Sequence, residues 1–85
     1  MKATEVIALS GYKIAVSFED GTKGETNLCD LVEQGIFREL KDESKFANVY
    51  TTGYSIAWSA ELEIDALAIY AELLDKKPEE VLKSA

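Results

Sequence analysis

Residues 12 to 37, YKIAVSFEDGTKGETNLCDLVEQGIF, write a strand, a tight turn, a second strand and a helix start without a break. Tyr12, Ile14, Val16 and Phe18 share one parity, while Lys13, Ser17 and Glu19 share the other. That is the period of a half-buried strand. Asp20-Gly21 supplies the turn, since Gly accepts the positive φ that hairpins need. This stretch commits the chain to a mixed class and says nothing about chemistry.

The rest of the chain reads in the same way. Thr4 to Leu9 is a first strand, rich in β-branched and aliphatic residues. Ser10-Gly11 turns it into the second strand, Tyr12 to Phe18, and a third runs from Lys23 to Thr26. Asn27 suits an N-cap, and the apolar residues Leu28, Leu31 and Val32 place a helix over about residues 28 to 34, ended by Gly35. Ile36, Phe37 and Leu40 form a short apolar knot, and Asp42 to Phe46 reads as a helical turn. Asn48 to Thr52 and Tyr54 to Trp58 flank Thr52-Gly53 as a second hairpin, making a fourth and a fifth strand. Ser59 to Glu63 is polar and carries no clear period. Asp65 caps a helix to about Leu74, and Pro78 opens a short last helix to Lys83.

The helix from Asp65 carries two apolar stripes. Leu67, Tyr70, Ala71 and Leu74 form one, and Ala66, Ile69 and Leu73 form the other. A surface helix on a small domain normally has one such stripe. A chain of this size buries roughly 60–65% of its unfolded surface, enough for one modest core. One stripe is therefore spare, and the simplest use for it is a two-fold homodimer. The other reading is that Tyr12, Tyr54 or the C-terminal turn covers it within the monomer. Trp58 ends the fifth strand and reads either as a core anchor or as an anchor in a partner's pocket, the core being the usual place for Trp. The candidate interaction surface is thus Trp58, Ile69, Tyr70 and Leu73.

Charge and composition narrow the chemistry. The net charge is −7, and the nine Lys and Arg residues are scattered. Direct binding to DNA, RNA or an anionic membrane is disfavoured. No apolar run approaches the ~20 residues of a membrane span, and the N-terminus lacks the apolar core of a signal peptide. A lone Cys29 forms no internal disulfide, which agrees with a cytoplasmic location. There is no His. A Ser–His–acid triad is excluded, and zinc is left with a single soft ligand. Cys29 near a helix start suggests an activated thiol, but with no His beside it a small buried hydrophobe is the favoured reading. Glu61, Glu63 and Asp65 alternate, yet without the glycine turn of a calcium loop they read as an acidic edge and a helix cap. Gly21 and Gly24 are too few for a phosphate loop. No catalytic, cofactor or metal residue is assigned, and no enzyme activity is expected.

The ordered pieces resemble the small bacterial proteins of the DUF2442 family. They are the Tyr12–Phe18 strand with Phe18, Asp20 and Gly21, the Asn27–Val32 run NLCDLV, GIFRELKD from Gly35 to Asp42, and FANV from Phe46 to Val49. IAW from Ile56 to Trp58, Ile64-Asp65, and LAIY from Leu67 to Tyr70 complete the set. Where members carry Pro or Asn-Gly near the Trp, this chain has Ser59-Ala60-Glu61-Leu62. The resemblance implies a compact α+β domain with a mainly antiparallel sheet and helices on one face. With the strands above, the expectation is a two-layer fold of about five short strands in one domain over residues 1–85. It implies no activity. Relatives encoded beside toxin-like proteins, or followed by a helix-turn-helix domain, hint at an interaction or regulatory module. The expected function is therefore a protein-interaction module, either a homodimer or the acidic partner of a basic protein. The alternatives are a small-ligand or metal-binding protein or enzyme using carboxylates, and a nucleic-acid-associated regulator.

Overall fold

A computed structural model describes residues 1–74. Strands β1 (Ala3–Leu9), β2 (Lys13–Phe18) and β3 (Lys23–Asn27) form an antiparallel meander in the order β1-β2-β3. The parity read from the sequence holds: Ile14, Val16 and Phe18 are buried and Lys13 is exposed. In register with them, Val6 faces Val16 and Ala8 faces Ile14, while Gly24 and Thr26 complete the inner face on β3.

Two 3-10 segments follow, Leu31–Glu33 and Gly35–Lys41, then a single helical turn α1 (Glu43–Phe46). The helix expected over residues 28 to 34 shrinks to its middle. The Asn27 side chain accepts the Cys29 N–H at 2.8 Å, and the Leu28 N–H donates to Tyr12 C=O at 2.7 Å. Residues 28 to 30 are thereby held in a turn tied to the hairpin, and Gly35 at φ +48 stops the segment at its other end. The helical turn expected at Asp42 to Phe46 is present, and Asp42 caps it, accepting from Ser44 N–H at 3.0 Å.

The expected single sheet of about five strands is instead two sheets of three. β4 (Tyr50–Thr51), β5 (Ser55–Ala57) and β6 (Glu63–Asp65) form the second, order β4-β5-β6. β6 lies where the sequence showed no period. Its ends are charged and only Ile64, paired with Ile56, turns inward, so three residues leave no alternation to read. Trp58 N–H donates to Leu62 C=O at 2.8 Å, which folds the polar stretch back and brings β6 beside β5. The sheets stay separate because a helical stretch intervenes. They meet through Ala3, whose N–H donates to Gly53 C=O at 2.8 Å. The helical segments are not gathered on one face.

Residues 66–74 form the second helix, α2, directly after β6. Asp65 accepts the Leu67 N–H at 2.9 Å, the cap read from the sequence. The core joins Ile14, Val16 and Phe18 to Val32, Leu40, Phe46, Ile56, Trp58, Ile69 and Leu73. Cys29 is exposed, a correction to its expected burial. Its neighbours Leu28 and Val32 take the core positions, and its Sγ donates outside to Gly11 C=O at 3.2 Å. The short helix expected at Pro78–Lys83 lies outside the described residues.

Candidate interaction surface

α2 is held to the first sheet by side chains from both sides. The Tyr70 hydroxyl donates to Asp20 Oδ2 at 2.6 Å, and the Thr26 hydroxyl donates to Glu72 Oε1 at 2.9 Å. Tyr70 stands edge-on to Phe18, centroids 5.0 Å apart. Leu73 packs so closely on β3 that a Cβ at Gly24 would meet Leu73 Cδ2 at 2.9 Å. The absence of a side chain at Gly24 is what admits the helix.

This docking decides between the two stripes, and it corrects the surface expected from the sequence. Ala66, Ile69 and Leu73 face the core at 0%, 4% and 4% exposure. Trp58 is also core. It is 8% exposed, its Nε1 donates to Phe46 C=O at 3.0 Å, and its ring packs against Phe46 and Phe37. Tyr70 is half-buried and spent on Asp20. The stripe left open is Leu67 and Leu74, 54% and 40% exposed, with Ala71 exposed between them. Of the residues suggested as a cover, the C-terminal turn lies outside the described residues, and Tyr12 and Tyr54 do not cover it. Tyr12 donates its hydroxyl to Lys41 C=O at 2.6 Å and stacks edge-on to Phe46, while Tyr54 is 65% exposed beneath Lys2.

The charge within residues 46–74 is one-sided. From Phe46 to Leu74 the chain carries Glu61, Glu63, Asp65 and Glu72 and no Lys or Arg. Several acids in the chain serve the backbone. Asp20 accepts Thr22 N–H, Asp42 accepts Ser44 N–H, and Asp65 caps α2. Among the described residues no cluster of three or more His, Cys, Asp or Glu side chains has metal-site geometry. A cleft of about 200 Å³ lies beside the β1–β2 turn, lined by Leu9, Tyr12, Phe46 and the single carboxylate of Glu43.

The Asp20–Tyr70 contact sets a pH window. The Tyr70 hydroxyl, then the Thr22 backbone N–H, hold the Asp20 carboxyl below its ordinary 3.8. The same bond pushes the Tyr70 phenol above its ordinary 10.0. The Asp20 contribution to stability is present above 3.8 and is lost as pH falls through the lower folded value. The Tyr70 contribution is present below 10.0 and is lost as pH rises through the raised value. Tyr70→Phe is expected to return the Asp20 titration toward 3.8 in a carboxyl ¹³C NMR series. An unmoved Asp20 titration counts against the bond.

The family model described as "Protein of unknown function (DUF2442)" matches residues 3–74. The chain belongs to this family. No curated protein and no solved structure matches it. The DUF2442 match spans every strand described here and α2. It therefore includes both the stripe that α2 buries and the stripe it leaves open. No helix among the described residues is long and apolar enough to cross a membrane.

Leu67 and Leu74 are the residues that sequence reasoning passed over. Both stripes have helical spacing, so spacing alone does not rank them. The signal that separates them lies outside the helix: Gly24, inner-facing on β3, marks where a helix side chain comes close, and Asp65 fixes the phase in which Leu73 meets it.

Proposed function

We propose that this DUF2442 chain is a cytoplasmic protein-interaction module rather than an enzyme, and that it contacts its partner through the outer stripe of α2. The observation that carries the reading is the pair Leu67 and Leu74, exposed on a helix whose other stripe already fills the core. Apolar side chains left out of a core on a rigid, pinned helix are a standing contact surface. The acids of the chain support the non-catalytic part, since Asp20, Asp42 and Asp65 are engaged in turns and caps. A free thiol at Cys29 fits a reducing compartment.

The test is capture with wild-type bait against a Leu67→Glu, Leu74→Glu bait. Both positions are exposed, so the thermal midpoint is expected to stay within a few degrees of wild type while binding is lost. Equal binding by the two baits removes this surface. A second reading, the acidic partner of a basic protein, draws on the stretch from Phe46 to Leu74, which has acids but no Lys or Arg. It requires that the captured protein be basic and that binding weaken steeply with added salt.

A further inference from the structure

Building on that interaction reading, we infer that one partner is a second copy of this chain, joined antiparallel along the outer edge of β3. β3 ends the first sheet, and among the described residues no strand pairs with its outer edge. Phe18 N–H donates to Thr22 C=O at 2.8 Å. Hydrogen-bonded pairs alternate along an antiparallel ladder. In the observed register, Gly24 opposite Val16 and Thr26 opposite Ile14 therefore direct their backbone groups to β2. Lys23, Glu25 and Asn27 direct theirs to the open edge.

The charges on that edge are paired with opposite charges in the register centred on Gly24. A second β3 centred on Gly24 sets Lys23 opposite the partner's Glu25, and Glu25 opposite the partner's Lys23. Those are the residues whose N–H and C=O groups face outward, so each pair closes reciprocal backbone hydrogen bonds. Gly24 falls at the narrow position, where Cα atoms approach to about 4.5 Å, and brings no side chain to obstruct it. Centring instead on Lys23 or on Glu25 sets like charges face to face. A short, charged edge repels unselected strands; this one is complementary to its own antiparallel copy.

The helices fit the same arrangement. α2 lies across β2 and β3, through Tyr70 against Phe18 and through Leu73 and Glu72 against Gly24 and Thr26. Strands are about 4.8 Å apart. A helix midway between β2 and β3 thus stands about 10 Å from its two-fold mate, at the upper end of the spacing of packed helices.

The experiment is sedimentation equilibrium of the full chain at high micromolar concentration, with circular dichroism to confirm that each variant is folded. Wild type is expected to dimerise. Lys23→Glu and Glu25→Lys each replace both attractive pairs by like charges and are expected to raise the dissociation constant about tenfold or more. Mixing these two variants, or combining both changes in one chain, restores opposite charges and is expected to restore the dimer. A monomeric wild type overturns the inference, as does a dimer unmoved by either reversal or a mixture that fails to associate. A dimer that ignores Lys23 and Glu25 but is lost with Leu67→Glu leaves the interaction reading standing and removes the β3 edge. A monomeric wild type that still captures another protein through Leu67 separates the two in the same way.

Discussion

Trp58→Ala is expected to lower stability by about 3–5 kcal/mol, the usual cost of emptying a large aromatic site. For a chain of 85 residues, total stability is about 4–13 kcal/mol. The substitution therefore removes a large share of it. Trp58 is the point where three separate pieces meet. Its ring packs on Phe46 of α1, with centroids 5.8 Å apart, and on Phe37 of the second 3-10 segment at 6.4 Å. Its backbone N–H closes the turn that delivers β6. Losing the indole also leaves the Phe46 carbonyl without its buried donor, which costs about 1–3 kcal/mol by itself. Trp58→Phe narrows the comparison, since it keeps a six-membered ring in the core while losing the donor and the smaller ring. Urea melts followed by circular dichroism should order the three proteins as wild type, Trp58→Phe, Trp58→Ala. If Trp58→Ala melts within about 1 kcal/mol of wild type, the indole is not a core anchor.

Gly24→Val is the second large effect. Valine needs space that Leu73 occupies, since even a Cβ would lie 2.9 Å from Leu73 Cδ2. Leu73 is 4% exposed and has little room to retreat. Overpacking of this kind costs about 1–3 kcal/mol, which is about 4–8 °C of melting temperature per kcal/mol in a domain this small. The displacement also pulls Tyr70 and Glu72 away from Asp20 and Thr26. Leu73→Ala alone is expected to cost about 2–5 kcal/mol through its cavity. The double variant should cost less than the sum by at least about 0.5 kcal/mol, because the new valine fills the space the leucine vacates. Strict additivity would mean that the two side chains do not meet.

Much of this fold is legible in the sequence where a local rule has no competitor. The β2 parity, the helical turn at Asp42 to Phe46, the Gly53 turn and the Asp65 cap depend on residues a few positions apart, and each stands where its chemistry places it. The misreadings share a cause, which is that the deciding partner is distant in the chain. Residues 28 to 30 form a turn whose Leu28 N–H is tied back to the C=O of Tyr12 on the first hairpin. β6 is a strand because β5 offers it an edge, not because of its own three residues. Cys29 is exposed, its Sγ donating to the C=O of Gly11 on the β1–β2 turn. The choice of open stripe on α2 turned on Gly24, far away on β3. A helix with two equivalent apolar rows leaves that choice to the docking surface.

The order of the chain has a consequence for its synthesis. The strands that present Ile14, Val16 and Phe18 are complete by residue 27, yet Ile69 and Leu73, which close over them, belong to α2. At about 5–20 residues per second, several seconds pass between the two. During that interval the part of the sheet face that Ile69 and Leu73 cover lacks those two side chains. A ribosome stalled before residue 66 would hold a fragment that invites chaperones or clumping, so α2 acts as a closing step of folding.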